Sequence, residues 1–378
     1  MQLTVPQPEL AAAVKWVERG LPKNPLYPVM MTIRFEATNG RLRISGWDGE
    51  TALHATVDAD IETEGVSLLP GAFLAGVVSG LRKNEVTIEC AKGSGILTAP
   101  GVRIDIRPSD AGQWPTTPEP PEIAGFVDGP AFTRALTKVK PASVKASENE
   151  VNDLSGIGSV RLTAADGVLQ LATTDRFRVA FTKIPWEPRT ELGDAFAIVS
   201  IQALERIRSF AKGQLALSLP VDGAGVAGIG GSGRQVVTKL TTPKSFPKVE
   251  RAEPKQFMAA AMFDAAELGD AIRTVSMVNT STKRPVWLRF DGETVAVSAS
   301  DLDSAEVRID AELSGDCGAF EIPFRGYFLT DGLAHVEGSA RVDFSGPKGP
   351  AVLTGADDEA YRYIVLPIGD PTKAAAAA

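Results

Sequence analysis

Residues 9–19 read ELAAAVKWVER, and their pattern of apolar residues recurs at 131–140 (AFTRALTKVK) and at 265–278 (AAELGDAIRTVSMV). The recurring side chains follow the i, i+4, i+7 spacing of an amphipathic helix. They are Leu10, Val14 and Val17, then Phe132, Leu136 and Val139, then Leu268, Ile272 and Val275. The three copies lie about 125 residues apart, which predicts an internal repeat.

Each third of the chain also contains a second predicted helix between strand-like runs. We place the apolar faces of these helices at Phe73, Val77 and Leu81, at Ile201, Leu204 and Ile207, and at Leu329, Leu333 and Val336. The sequence therefore predicts an α+β fold of three repeated domains, each made of two helix-plus-antiparallel-strand units. Three unrelated α+β domains of similar size are the alternative, which the recurring helix–strand order disfavours.

Two proline-rich stretches suggest the boundaries between the repeats. Residues 113–122 read QWPTTPEPPE, and residues 243–256 read PKSFPKVERAEPKQ, both typical of semi-rigid linkers. We expect domains at residues 1–122, 123–252 and 253–370, followed by a low-complexity, disordered tail at 371–378.

Composition describes a chain of 378 residues with ordinary apolar content, 44%, and a net charge of −8. The sequence shows no signal peptide and no apolar run of about 18 residues, so we expect a cytoplasmic protein without a membrane segment. The two cysteines, Cys90 and Cys317, could form one disulfide, although two reduced thiols fit a cytoplasmic protein better.

Enzyme chemistry has little support in the sequence. Gly223-Ala-Gly225-Val-Ala-Gly228 matches G-x-G-x-x-G, but a strand-like run follows it where a dinucleotide site needs a helix. The two histidines, His54 and His335, lie on different repeats, and no metal-ligand spacing occurs. We therefore predict a non-catalytic protein without cofactor or metal.

Basic residues recur on five of the six predicted helices, at positions that share a face opposite the apolar one. A solvated surface is the alternative for any single residue. The recurrence predicts weak, sequence-independent binding to duplex DNA by Lys15, Arg19, Lys23, Arg134, Lys138, Lys145, Arg208, Lys212, Arg273, Lys283 and Arg284.

Helix packing limits what such helices can surround. Neighbouring helices lie roughly 10 Å apart, so six in a circle leave a hole of about 9 Å and twelve leave about 28 Å. The grooves of B-form DNA have a combined depth of about 16 Å, so the duplex passes only through the larger ring. One chain supplies six helices, so a ring around DNA requires a head-to-tail homodimer.

Two further stretches, TTDRFRVA at 173–180 and YRYIVLPI at 361–368, complete a resemblance to a known family. Together with YFLTDGL at 327–333, they resemble the bacterial DNA sliding clamp, the beta subunit of DNA polymerase III, particularly of the actinobacterial type. The resemblance covers the whole chain. It implies a ring that encircles DNA and tethers the polymerase III alpha subunit, the clamp loader and other proteins with clamp-binding motifs.

The resemblance also implies a pocket that receives partner peptides, between the second and third domains. The expected members are Leu154, Thr174, Arg176, Phe177, Arg178, Val179, Pro247, Arg251, Tyr327, Pro350, Ile364, Val365, Leu366, Pro367 and Ile368. We expect Arg178 to line the groove beside an apolar wall that includes Val179, Pro247, Val365, Leu366 and Ile368. Such a groove suits a short peptide with Leu or Phe anchors.

Some positions depart from the family pattern. Gly369-Asp370 stands where many clamps have a basic residue. We therefore expect the edge of the pocket to differ from the family pattern at this point. A clamp-like paralogue of the mobile-element type that binds the same partners is an alternative function. A nucleotide-dependent enzyme using the 223–228 glycine motif is an alternative from another class.

Overall fold

The computed structural model of the chain describes residues 1–82, 84–91, 93–143, 157–189, 195–242, 246–247, 249–291, 294–315 and 320–368. Within these ranges six α-helices and twenty-seven β-strands occur, and their order repeats three times. Each repeat has one strand before a first helix and four after it, then one strand before a second helix and three after it. This order confirms the predicted α+β fold.

The elements of the three repeats have the following bounds. The first repeat contains β1 (Gln2–Pro6), α1 (Gln7–Glu18), β2 (Thr32–Thr38), β3 (Arg41–Trp47), β4 (Thr51–Asp58), β5 (Asp60–Thr63), β6 (Gly65–Pro70), α2 (Gly71–Gly80), β7 (Glu85–Ala91), β8 (Ser94–Ala99) and β9 (Val102–Ile106). The second contains β10 (Gly125–Asp128), α3 (Gly129–Val139), β11 (Ser159–Ala165), β12 (Val168–Thr174), β13 (Arg178–Pro185), β14 (Glu187–Pro188), β15 (Ala195–Ser200), α4 (Ile201–Ile207), β16 (Gln214–Ser218), β17 (Val226–Gly231) and β18 (Arg234–Lys239). The third contains β19 (Ala259–Asp264), α5 (Ala265–Ser276), β20 (Pro285–Asp291), β21 (Thr294–Ser300), β22 (Ser304–Asp310), β23 (Glu312–Gly315), β24 (Glu321–Arg325), α6 (Gly326–Leu333), β25 (Ser339–Phe344), β26 (Ala351–Gly355) and β27 (Asp358–Val365).

The first of two compact units comprises residues 1–130, 187–195 and 202–240. Its strands form a five-stranded sheet, β5-β1-β7-β8-β9, and a nine-stranded sheet, β14-β10-β16-β17-β18-β4-β3-β2-β6. In the larger sheet β18 pairs antiparallel with β4, and Val236 lies opposite Leu53. Strands of the second repeat therefore continue the sheet of the first.

The second compact unit comprises residues 131–186, 196–201 and 241–378. Its strands form a nine-stranded sheet, β15-β11-β12-β13-β27-β26-β25-β19-β23, and a four-stranded sheet, β22-β21-β20-β24. Here β13 pairs antiparallel with β27, and Val179 lies opposite Ile364. The last described strand thus joins the third repeat to the second.

These sheets explain why the compact units do not follow the sequence repeats. One part of the middle repeat continues the sheet of the first repeat, and the other part continues the sheet of the third. The boundaries predicted at residues 122 and 252 mark repeats in the sequence, and they stay a prediction. The predicted tail at 371–378 lies outside the described residues.

Periodicity located the buried face of most helices correctly. The predicted apolar positions of α1, α3 and α5 are all buried. In α4 and α6 the predicted positions that are buried are Leu204, Ile207, Leu329 and Leu333. Ile201, the first residue of α4, is half-buried, and so is Val336, which lies beyond the end of α6.

The predicted face of α2 is wrong. Phe73 is 48% exposed, whereas Leu74 and Val78 are fully buried. The helix reads GAFLAGVVSG, so apolar residues lie on both faces and periodicity does not distinguish them. The close approach of the Gly71 backbone to Leu21 fixes the rotation, since a methyl carbon at Gly71 would lie 2.4 Å from a Leu21 methyl group.

Two helical glycines give opposite predictions for substitution by alanine. A methyl carbon at Gly332 in α6 would lie 2.7 Å from the buried Tyr363 ring, so we expect Gly332→Ala to lower the free energy of unfolding by about 2 kcal/mol. At Gly76 in α2 a methyl carbon would meet nothing within 4 Å, so Gly76→Ala should raise the free energy of unfolding by about 0.5 kcal/mol. Urea denaturation measures both. Equal stability of the two variants would contradict the packing of α6 on β27.

Candidate functional site

The turn between β12 and β13 is held by its own side chains. The Asp175 carboxylate accepts hydrogen bonds from the N–H groups of Phe177 and Arg178, both at 3.0 Å. The Thr174 hydroxyl accepts from the N–H of Arg176 at 3.1 Å and donates to the carbonyl oxygen of Arg178 at 2.7 Å. Threonine and aspartate at these positions therefore close the turn locally.

Arg178, at the end of this turn, is the centre of a buried polar cluster. Its Nε donates to Asp175 at 2.8 Å, and its guanidinium donates to Asp331 of α6 at 2.7 Å and to the Tyr363 hydroxyl of β27 at 2.9 Å. The Arg178 side chain is 3% exposed. Burial acts to lower the pKa of Arg178, but Tyr363 and the two carboxylates outweigh it and raise that pKa. The guanidinium is therefore permanently charged, and both carboxylates and the Tyr363 hydroxyl accept hydrogen bonds from it.

Aromatic rings surround this cluster. The guanidinium carbon of Arg178 lies 4.2 Å from the centroid of the Phe328 ring and 5.5 Å from that of Tyr327. The rings of Phe177 and Phe328 stack with centroids 6.4 Å apart. Burial raises the pKa of Tyr363, so its hydroxyl stays protonated. The turn, α6 and β27 are thus joined by ionic and cation–π contacts.

The last described residues cross from one sheet to the other beside this turn. Arg178 lies opposite Val365 in the β13–β27 ladder. Beyond the strand, the N–H of Leu366 donates to the carbonyl oxygen of Phe177 at 2.9 Å, and the N–H of Ile368 donates to that of Pro323 at 3.0 Å. Residues 366–368 are therefore held between the turn and β24.

An apolar floor lies beneath these segments. The buried side chains of Ala172, Val179, Ile198, Phe246, Val249, Val352 and Ile364 form one cluster, with Phe181 and Ala252 packed against it. Above the floor, Phe177 is 47% exposed and Leu366 is 40% exposed. Pro247, Pro367 and Ile368 are half-buried. Exposed apolar side chains beside a buried apolar cluster are typical of a peptide-binding groove.

The structure brings most of the predicted groove residues together. The turn 174–179 meets the segment 364–368 through the β13–β27 ladder, and Pro350 precedes Ala351, which lies opposite Val365. Arg176 and Arg251 are exposed. Tyr327 is half-buried and also lines a cavity of about 290 Å³ between the end of α5 and the start of α6. Leu154 lies outside the described residues, as does Gly369-Asp370.

Several positions differ from the prediction. Arg178 does not line an open groove, because Asp175, Asp331 and Tyr363 hold it beneath the surface. Thr174, Ile364 and Val365 are about as buried, at 1% exposure each, so they support the groove from below. The prediction also missed Arg325, Phe328, Asp331 and Tyr363. Their one signal in the sequence was their position within the quoted YFLTDGL and YRYIVLPI stretches or, for Arg325, two residues before the first of them.

The predicted DNA-binding residues fall into two groups. Those that are exposed and form no ion pair with a described residue are Lys15, Arg19, Lys23, Arg134, Lys212 and Lys283. Arg208, Arg273 and Arg284 are paired with Glu205, Asp270 and Asp301. Lys138 differs most from the prediction, because Asp358 binds its half-buried ammonium, which lies 5.7 Å from the centroid of the Tyr361 ring. Lys145 lies outside the described residues.

His54 and Gly228 of the glycine motif, considered above for catalysis or cofactor binding, belong to strands of the sheets. His54 is buried in β4 and bonded to the Ser45 hydroxyl at 2.9 Å, and burial with Arg43 and Arg34 lowers the pKa of His54 to about 3. Gly228 of the glycine motif lies inside β17. In the described ranges no cluster of His, Cys, Asp and Glu could hold a metal ion, and no helix is long and apolar enough to span a bilayer.

Comparison with known proteins shows which family has this sequence and fold. Residues 1–117 match the sequence profile described as DNA polymerase III beta subunit, N-terminal domain, and residues 250–369 match that of its C-terminal domain. The beta sliding clamp of Streptomyces coelicolor is 30% identical over 381 residues, covering 97% of this chain and 99% of that protein. The beta sliding clamp homolog GriR of Streptomyces muensis is 29% identical over 388 residues, with the same coverage of both chains.

Solved structures show the same fold. The sliding clamp of Pseudomonas aeruginosa bound to griselimycin superposes with a TM-score of 0.87 at 19% identity, covering 98% of this chain and 100% of that one. The repeated helices and antiparallel sheets define the class of sliding clamps. This chain belongs to the family of bacterial beta sliding clamps, the beta subunits of DNA polymerase III. Its function is that of a DNA sliding clamp, which is favoured over the paralogue and enzyme alternatives.

The buried cluster around Arg178 predicts a large effect of removing its charge. Arg178→Met leaves the carboxylates of Asp175 and Asp331 without their cation, so we expect the free energy of unfolding to fall by about 3 kcal/mol. Arg308→Met is the matched control in the same compact unit. It breaks an exposed pair with Glu306 and should cost less than about 0.5 kcal/mol. Equal midpoints of urea denaturation for the two variants would contradict the structural role of Arg178.

Proposed function

We propose that two copies of this chain close head to tail into a ring around duplex DNA and tether other proteins to it. The partners are the alpha subunit of DNA polymerase III, the clamp loader and other proteins with clamp-binding motifs. The ring has no catalytic activity and acts in the cytoplasm. The observation that carries this proposal is the threefold repeat of element order, which supplies six α-helices within the described residues of each chain. Twelve helices leave a hole of about 28 Å, which admits the duplex.

Exposed apolar side chains suggest where the two copies meet. In the first repeat Phe73 of α2 is 48% exposed. In the third repeat Met277, directly after α5, is 83% exposed, and Leu302, between β21 and β22, is 85% exposed. A contact between the first repeat of one copy and the third repeat of the other would cover such surfaces.

We predict that an acidic residue at this contact separates the copies. Met277 is exposed, so Met277→Asp should leave each chain folded while placing a charge in the apolar contact. Light scattering at micromolar concentration should give the mass of one chain for this variant and of two chains for the parent. Val221→Asp, at a 56% exposed site in the middle repeat, should remain a dimer.

The same samples test the ring on DNA. A dimer loaded by a clamp loader should stay on circular duplex DNA and be lost when the circle is cut, whereas Met277→Asp should not be retained. A parent protein that has the mass of one chain even at the highest concentration would contradict the ring.

Contacts with DNA are proposed to be weak and independent of base sequence. Six predicted cations are exposed and form no ion pair with a described residue, and they are Lys15, Arg19, Lys23, Arg134, Lys212 and Lys283. Direct binding should weaken with salt because phosphate contacts release counterions. Arg208, Arg273 and Arg284 must first exchange their carboxylate partners, so we expect smaller contributions from them.

The groove around Phe177 and Leu366 is proposed to bind partner peptides. Its apolar floor accepts Leu or Phe anchors, and its exposed rim supplies further apolar contact. A peptide with a glutamine followed by Leu and Phe anchors should bind at micromolar strength, on the order of −8 kcal/mol.

We predict that Leu366→Asp weakens this peptide at least about tenfold, because the charge would be desolvated against the apolar anchor. Leu366 is 40% exposed, so the fold and the dimer mass should not change. Leu26→Asp, at an 86% exposed site in the first repeat, is the control and should bind as the parent does. Fluorescence anisotropy of the labelled peptide measures both variants. Unchanged affinity of Leu366→Asp would show that the groove is not the peptide site.

A further inference from the structure

In two of the three repeats, the sixth residue of the second helix forms an ion pair with the repeat before it. In α4 this residue is Arg206, whose guanidinium donates to the Asp48 carboxylate at 3.1 Å. In α6 it is Asp331, whose carboxylate accepts from Arg178 at 2.7 Å. Asp48 follows β3 in the first repeat, and Arg178 begins β13 in the second. Each pair therefore joins a helix to a strand turn across a junction between repeats.

The turns that receive these helices are built alike in all three repeats. Each has three residues between the second and third strands after the first helix, and each begins with an aspartate. They are residues 48–50, 175–177 and 301–303. The first turn is bonded to α4, and α6 is bonded to the residue that ends the second. No second helix in the described part of the chain forms an ion pair with the third turn.

The second helix of the first repeat lacks the charged residue. The sixth residue of α2 is Gly76, and a methyl carbon there would meet nothing within 4 Å. The third residue, which shares a helix face with the sixth, is covered in α4 and α6 but not in α2. Ala203 is 2% exposed and Phe328 is 1% exposed, whereas Phe73 is 48% exposed. The face of α2 around Gly76 is therefore open in the single chain.

The third turn carries a negative charge that a helix could meet. Asp301 pairs with Arg284 at 3.0 Å and accepts a hydrogen bond from the N–H of Thr280 at 3.0 Å. Asp303 is exposed, and it forms no ion pair with a described residue. The open helix face and this open turn occupy the two positions that are joined at each junction within the chain.

We propose that the face of α2 around Gly76 packs against residues 301–303 of a second copy, and that Gly76 leaves this contact without the ion pair of the other two junctions. The inference rests on the proposed head-to-tail dimer. A second copy is the occupant that the repeat predicts, since its third repeat would stand where the repeat before α2 belongs. The Arg206–Asp48 pair is half-buried, at 28% and 22% exposure, so it resists separation of the repeats that it joins. Two copies would separate without breaking such a pair.

Charged substitutions of Gly76 test which surface lies opposite it. Gly76→Gln is the reference, because it has nearly the same length and helix propensity as the charged variants. Relative to this reference, Gly76→Arg should slow dissociation of the dimer about tenfold, since a ring has two such contacts and each should gain roughly threefold. Gly76→Glu should speed dissociation about tenfold by repulsion from Asp303. Exchange of subunits between donor-labelled and acceptor-labelled protein measures the rate by energy transfer.

Reversal of the charge on the turn identifies the partner surface. In the Asp303→Arg background, Gly76→Glu should exchange subunits more slowly than Gly76→Arg, which inverts the order. Asp303 is exposed, so its replacement should leave the fold and the Tm unchanged. Higher salt should shrink all of these differences. Val221→Arg, at a 56% exposed site in the middle repeat, adds the same charge elsewhere and should exchange at the parent's rate.

Other results would overturn the proposal in distinct ways. Equal exchange rates of the three Gly76 variants overturn the contact with residues 301–303 and leave the dimer in place. An order that Asp303→Arg does not invert also overturns it, because another surface would then lie opposite Gly76. Loss of the dimer in all three variants, at unchanged Tm, would show that the small size of Gly76 matters and not its missing charge. A parent protein with the mass of one chain at every concentration overturns the dimer, and this inference with it.

Discussion

Burial of one charged side chain, Arg178, is the constraint on which the groove depends. A guanidinium removed from water is costly unless it is fully bonded, and here bonds to Asp175, Asp331 and Tyr363 offset that cost. These three residues belong to the β12–β13 turn, to α6 and to β27. Because the arginine is satisfied only when all three are in place, it fixes their relative positions. The bonds of Leu366 to Phe177 and of Ile368 to Pro323 then set the course of the last described residues.

The same junction relates the fold to binding. Strand β27 closes the third repeat, and it also pairs with β13 of the second, so the proposed groove lies where two repeats share one sheet. Its floor draws on Val179, Phe246 and Ile364, which no single repeat could supply. The exposed residues above that floor carry the binding proposals, whereas the buried ones set the shape of the groove. Substitutions at the two levels should therefore affect affinity and stability separately.

The sequence predicted those features that depend on local pattern. The apolar spacing of α1, α3 and α5 gave their buried faces, because each has one apolar stripe. The apolar spacing failed for α2, where apolar residues lie on both faces and the packing of Gly71 on Leu21 sets which face is buried. The two quoted segments, 173–180 and 361–368, lie side by side as predicted, but the burial of Arg178 could not be foreseen. Its partners Asp331 and Tyr363 lie 153 and 185 residues away, and no spacing rule connects them. Lys138 was assigned to DNA for the same reason, since Asp358 is 220 residues distant.

Amide hydrogen exchange with and without a bound partner peptide tests most directly whether this junction is the binding site. We expect the peptide to slow exchange at residues 174–179 and 364–368, and to leave α1 and the five-stranded sheet of the first unit unchanged. The N–H of Leu366 should show the change clearly, because its bond to Phe177 lies at the exposed edge of the groove. Saturating peptide that protects another part of the chain, and leaves these two segments unaltered, would contradict the account.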